Sequence, residues 1–134
     1  MVESGVKAKL LVVDDEKNIR LTVSQSLEAL EIPVSTAVNG EEALVKLHEG
    51  RFDIVFLDLK MPGMDGIAMM HEMRKLGLST EVLILTGHGS IDTALEAIRL
   101  GAYDYATKPC EISDLVSKIE AAFERKSIKD KKGS

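Results

Sequence analysis

The stretch Leu10-Leu11-Val12-Val13-Asp14-Asp15 (residues 10–15) and its counterpart Ile54-Val55-Phe56-Leu57-Asp58 (residues 54–58) decide the fold. Each is an unbroken apolar run stopped by acid. A run that short, without polar alternation and rich in β-branched side chains, suits a parallel strand buried on both faces. Val82-Leu83-Ile84-Leu85 has the same character, Val34-Ser35-Thr36-Ala37 is weaker, and Ala102-Tyr103-Asp104-Tyr105-Ala106 is short and mixed, like a last strand at a sheet edge. Between these runs the apolar period changes to that of a helix. Ile19, Val23, Leu27 and Leu30 predict a helix over 17–30, ended before Pro33. Ala43, Leu44 and Leu47 mark a shorter one between Asn39-Gly40 and Gly50. Ile67, Met70, Met73 and Leu76 line the third, stopped at Gly77; Met69, Met70 and Met73 are expected to include both core-filling and solvent-facing members. Ile91, Ala94, Leu95 and Ile98 make the fourth, with Ser90 as N-cap and Gly101 just beyond its end. Ile112, Leu115, Val116, Ile119 and Phe123 make the fifth, begun near Ser113-Asp114 or one turn earlier. Strand followed by helix, five times over, implies an α/β fold: a doubly wound parallel sheet with helices on both faces and right-handed crossovers.

The chain of 134 residues is the size of one domain, and its 45% hydrophobic and 29% charged content is that of a globular protein. No apolar run approaches the roughly 18 residues needed to span a bilayer. The start Met1-Val2-Glu3-Ser4-Gly5 lacks the basic-then-apolar pattern of a secretory signal. The lone Cys110 can form no internal disulfide, which suits a reducing cytoplasm. A net charge of −5 does not suggest a nucleic-acid binder. That charge is uneven: residues 125–134 carry a local +4, leaving −9 on residues 1–124. We divide the chain into a folded domain over 8–125 and a basic tail over 126–134, read as a frayed end, a linker or an expression remnant.

In an open parallel sheet, ligands bind beyond the carboxyl ends of the strands. Asp14-Asp15 end the first strand, Asp58 the third and Thr86 the fourth, and the fifth runs into Lys108-Pro109. Two like charges about 4 Å apart repel by about 4 kcal/mol at an effective dielectric of about 20. Such a cluster takes up protons or binds a cation, and oxygen ligands with room for water suit Mg²⁺. A cation, the Lys108 ammonium and the Thr86 hydroxyl around one carboxylate make a receptor for a phosphoryl group on it. The competing explanation, that Asp14 and Asp58 merely cap the following helices, does not account for Thr86 and Lys108 at the same edge.

Leu11-Val12-Val13-Asp14-Asp15-Glu16, the stretch from Asp53 through Asp58-Leu59-Lys60-Met61-Pro62-Gly63 to Gly66, Leu85-Thr86-Gly87 and Thr107-Lys108-Pro109 closely resemble the receiver domain of bacterial two-component response regulators. The resemblance covers residues 8–125. Through Gly87-His88-Gly89-Ser90-Ile91-Asp92-Thr93-Ala94 and Gly101-Ala102-Tyr103-Asp104-Tyr105 it is closest to receivers of ATPase-linked enhancer-binding transcription activators. It implies a flavodoxin-like sheet of order 2-1-3-4-5 with five helices, and transfer of a phosphoryl group from a sensor histidine kinase to Asp58. By the same resemblance Asp15 holds Mg²⁺ directly and Asp14 directly or through water, with Asp58 and the Lys60 backbone carbonyl supplying further oxygens. Lys108 pairs with the phosphoryl oxygens, across a Lys108–Pro109 bond that the family usually keeps cis. Thr86 and Tyr105 match the switch pair, whose movement repacks the face made by the fourth helix, fifth strand and fifth helix. Lys60 and His88 occupy positions that set acyl-phosphate lifetime. Cys110 departs from the aromatic residue common there and is not expected to be catalytic.

The resemblance further implies a cytoplasmic phosphorelay protein that controls an output such as transcription. It would catalyse only its own phosphotransfer and autodephosphorylation, contact neither nucleic acid nor membrane, and could form a homodimer. The chain would be a single-domain regulator or an excised N-terminal receiver, its output domain removed or separate. Three alternatives stand beside this reading. A Mg²⁺-dependent aspartyl phosphatase would want an acid two residues after Asp58, where Lys60 stands. A flavin-binding flavodoxin-like module would not place Asp14-Asp15-Glu16 where a phosphate must sit. A degenerate receiver would not keep Asp15, Asp58, Thr86 and Lys108 together.

Overall fold

The structure, a computed structural model, describes residues 8–61, 63–87, 91–108 and 110–132. Five strands and five helices alternate: β1 (Leu10–Val13), α1 (Lys17–Glu28), β2 (Val34–Ala37), α2 (Gly40–Glu49), β3 (Ile54–Leu57), α3 (Gly66–Lys75), β4 (Glu81–Thr86), α4 (Ile91–Arg99), β5 (Asp104–Thr107) and α5 (Ile112–Lys132). All strand pairs are parallel, in the order β2-β1-β3-β4-β5. The expected doubly wound sheet is therefore present, with β5 at one edge and β2 at the other.

The unbroken apolar runs bury both sheet faces because successive side chains point to opposite sides. Leu11 and Val13, Val55 and Leu57, and Val82 and Ile84 enter one core, closed by Ala43 and Leu47 of α2, the α3 methionines, and Ala94 and Ala97 of α4. Leu10 and Val12, Ile54 and Phe56, and Leu83 and Leu85 enter the other, closed by Val23 and Leu27 of α1 and by Leu115, Ile119 and Ala122 of α5. Met69, Met70 and Met73 are all buried, so none of the three faces solvent. The expected core position Leu76 instead lies 46% exposed at the C-cap of α3.

Element ends differ from the sequence expectations where local geometry intervenes. α1 stops at Glu28 because Glu31 turns into the left-handed region (φ 64°) and leads the chain toward Pro33. β5 starts at Asp104, two residues later than its apolar pattern suggested. β4 begins one residue early, at a buried glutamate. α5 continues to Lys132, so the basic stretch after residue 125 is helical rather than frayed. Ser90 as N-cap of α4 lies outside the described residues. Among the described residues no helix is long and apolar enough to cross a membrane.

Two glycines shape the ends of α3, Gly66 at the edge that carries the acids and Gly77 at the opposite one. Gly77 adopts φ 68° just past α3, a conformation that side chains resist. At Gly66 an added Cβ would lie 2.8 Å from Leu59 Cα and 2.9 Å from the Asp58 carbonyl oxygen. Backbone cannot yield as a side-chain tip can. Gly66→Ala is expected to cost about 1–3 kcal/mol through overpacking, read as a lower urea midpoint; an unchanged midpoint contradicts this close fit.

Candidate functional site

The carboxyl ends of β1, β3, β4 and β5 lie side by side, and backbone bonds lock the residues that follow them. Asp58 N–H donates to the Val13 carbonyl at 3.0 Å, and Lys108 N–H donates to the Thr86 carbonyl at 2.7 Å. Three strand-end polar residues are buried: Asp14 and Thr86 are 1% exposed and Asp58 6%. An Asp at such a bend satisfies local N–H groups, and both do so. Asp14 Oδ1 accepts from Glu16 N–H at 2.9 Å, and Asp58 Oδ1 accepts from Lys60 N–H at 3.2 Å. Neither acts as a helix N-cap. Those positions belong to Glu16 before α1 and Asp65 before α3.

The Lys108 ammonium sits among the acids. Its Nζ is 2.7 Å from Asp14 Oδ2, 3.6 Å from Asp58 Oδ2 and 3.7 Å from Glu16 Oε1. Burial works against the Lys108 charge, but the hydrogen bond to Asp14 and the charges of Asp58, Asp14 and Glu16 outweigh it, raising its pKa above the ordinary lysine value. Asp58 is pushed up to about 6, first by burial and next by the Asp14 charge, with a smaller push from Asp15 and opposition from Lys108 and the Lys60 N–H. The site thus holds more negative charge than one ammonium can balance, and Asp58 bears the strain.

Carboxylate oxygens of Asp14, Glu16 and Asp58 all lie within 4.8 Å of one another. This hard-oxygen set around an ammonium fits a small divalent cation such as Mg²⁺. Glu16 belongs to the cluster and was missed as a ligand in the sequence; the signal was a third acid following Asp14-Asp15. Asp15 is exposed and its carboxylate is not part of that group, although its charge reaches Asp58. Lys60 is exposed and meets Asp58 through its N–H.

Thr86 lies at the end of β4 with its hydroxyl donating to the Gly87 carbonyl at 3.4 Å, a long bond that a stronger acceptor could displace. Tyr105 is half-buried on β5, opposite Ile84 and packed against the core that contains the α3 methionines. Beside it runs a groove of about 560 Å³ lined by Thr107, Cys110, Asp114 and Lys118 among others. Burial and the Asp114 charge push the Cys110 thiol up, which makes it a poor nucleophile. His48 and His71 are exposed on their helices. His88 and the Lys108–Pro109 bond lie outside the described residues.

The chain is similar to known proteins over most of its length. The family model "Response regulator receiver domain" matches residues 10–120. The chain is 36% identical over 121 residues to Regulatory protein AtoC of Escherichia coli K12, covering 90% of this chain and 26% of that protein. It is 35% identical over 112 residues to the DNA-binding transcriptional regulator NtrC of Salmonella typhimurium, covering 84% of this chain and 24% of the relative. A response regulator receiver domain protein from Clostridium thermocellum superposes with a TM-score of 0.85 at 37% identity, covering 90% of this chain and 98% of that one. The chain spans from about a quarter to about half the length of the curated relatives it matches.

Proposed function

Because this chain belongs to the response regulator receiver domain family and is a phosphorelay signalling receiver, we propose that it carries its signal as a phosphoryl group on Asp58. The observation that supports this most is the paired state of Asp58. It is buried, crowded by Asp14 and raised to about 6, yet it has the Lys108 ammonium 3.6 Å away.

In the proposed step a carboxylate oxygen of Asp58 attacks the phosphorus of a phosphohistidine on a sensor kinase. An O–P bond forms, the N–P bond breaks, and the imidazole leaves with the electron pair and takes a proton from solvent. Near neutral pH Asp58 is largely ionised, so the attacking oxygen keeps its lone pair. Lys108, already held by Asp14 at 2.7 Å, is placed to meet a phosphoryl oxygen on Asp58 without reorganising. The Thr86 hydroxyl exchanges its long bond to Gly87 for another phosphoryl oxygen, and Tyr105 turns into the space this opens. We assign Asp14, Asp15, Asp58 and the Lys60 carbonyl to Mg²⁺, with Glu16 beside them. When bound, the ion supplies positive charge that offsets the carboxylates and the incoming phosphoryl oxygens.

The domain then acts on itself only, through phosphotransfer and slow dephosphorylation, with Lys60 and His88 setting the lifetime. Its output is a repacked α4, β5 and α5 face, read in the cytoplasm by a transcription-regulating segment or by a second copy. A separate aspartyl phosphatase remains the alternative reading, and turnover of an added phosphomonoester would favour it.

The test is intact mass after incubation with Mg²⁺ and acetyl phosphate. The wild type should gain one alkali-labile phosphoryl group and Asp58→Asn none. An equal adduct on the variant, or no adduct on either, would remove Asp58 from the role.

A further inference from the structure

At the edge of the sheet opposite Asp58, β4 opens with Glu81, whose side chain is 0% exposed. A carboxylate inside an apolar strand is tolerated only when it is fully paired. Among the described residues its charged partners, Arg125 and Lys129, come from the far end of α5. Arg125 donates through Nε to Oε2 at 2.5 Å and through Nη2 to Oε1 at 2.6 Å, and Lys129 Nζ stands 3.0 Å from Oε2. The Arg125 Nη2 also donates to the Gly101 carbonyl at 3.0 Å, and its guanidinium lies 4.7 Å from the centre of the Tyr103 ring. This is a two-pronged grip on one helix position.

Lys126 and Asp130 of the same segment make less buried contacts. Ile128 is the sole large apolar residue of 125–132, and it is 48% exposed. Lys126 reaches Asp53 at 3.3 Å, and Asp130 accepts from Ser79 at 2.8 Å. Lys126 is 15% exposed, Asp53 26% and Asp130 48%, so these contacts are more open to water than the Glu81 pair and contribute less. A polar helix end with no apolar stripe would ordinarily fray into water.

We infer that Glu81 is a positioning residue that docks α5 beyond Glu124 onto the sheet edge, turning a stretch with the composition of a linker into a rigid lever. The lever's role in output rests on the phosphoreceiver reading above. α5 begins four residues after Lys108, at the phosphoryl edge, and ends past Glu81 at the opposite edge. A shift of α5 at its start is therefore carried as a rigid body to whatever leaves from its last turn.

Hydrogen exchange of the full chain, followed by mass spectrometry without any phosphodonor, tests the docking. In the wild type the amides of 125–132 should exchange at least ten times more slowly than in Glu81→Leu, while 112–124, β3 and β4 keep their protection. Unchanged protection over 125–132 in Glu81→Leu, or no protection there in the wild type, overturns the inference. If Glu81→Leu loosens β3 and β4 as well, the closer-shaped Glu81→Gln decides: selective loss over 125–132 supports the docking and retained protection overturns it. A chain that shows this protection but takes up no phosphoryl group keeps the docked helix and loses only the lever's part in output.

Discussion

Asp58→Asn is expected to lose all phosphoryl uptake and, in metal-free buffer at pH 8, to be more stable than the wild type by about 2–3 kcal/mol. Both effects have one cause. In the folded chain Asp58 has its pKa at about 6, against about 3.9 for an aspartate in an unfolded chain. Between those values the native state binds more protons than the unfolded state, so this group's contribution to stability falls as pH rises through the window. Above it the whole penalty is present, and below about pH 4 it is absent. The Asn side chain keeps an oxygen for the Lys60 N–H and carries no charge against Asp14. Urea midpoints of the two proteins should therefore differ most at pH 8 and converge as the pH is lowered through 6 toward 4. Millimolar Mg²⁺ at pH 8 should narrow the gap by stabilising the wild type more. A variant less stable than the wild type at pH 8, or a difference that ignores pH, would contradict the account of Asp58 as an electrostatically strained residue.

Removing residues 125–134 should destabilise the domain by about 3–5 kcal/mol, although the deleted stretch is polar and lies at the end of the chain. The deletion takes away Arg125 and Lys129 and leaves the Glu81 carboxylate buried with neither of these cations. Most of the cost is that stranded charge rather than lost contact area. The same deletion in a Glu81→Leu background should therefore cost little, since an apolar side chain there leaves no buried charge behind and shares the sheet face of Leu83 and Leu85. The four proteins form a double-mutant cycle, and denaturant unfolding gives the coupling between Glu81 and the helix end. Deletion costs that are equal in both backgrounds would show that the ion pair is not what ties the segment to the fold.

The two experiments probe opposite edges of one sheet, and those edges were unequally visible in the sequence. Asp14, Asp58, Thr86 and Lys108 could be placed together from the chain alone. Each follows or ends a strand, and a parallel sheet brings all strand ends of one sense to one edge. Hydrophobic period is a local property, so the strands, the helices and their alternation were legible from neighbouring residues. The resemblance to receivers then added the strand order and the roles.

Which acid meets which base was a different matter. Lys108 lies closest to Asp14 rather than to Asp58, Glu16 joins the cluster while Asp15 faces water, and Asp58 acquires a pKa of about 6. These depend on how the chain bends after each strand, and on burial, which no spacing rule expresses. Glu81 and Arg125 are 44 residues apart, and no local pattern links them. A charged residue at a strand end and a basic helix tail both read as surface until folding brings them together and closes water out. Strand period and the gathering of polar residues at the strand ends were legible along the chain; charge pairing across it was decided only by the packed fold, because a buried ion has no partner until the tertiary structure provides one.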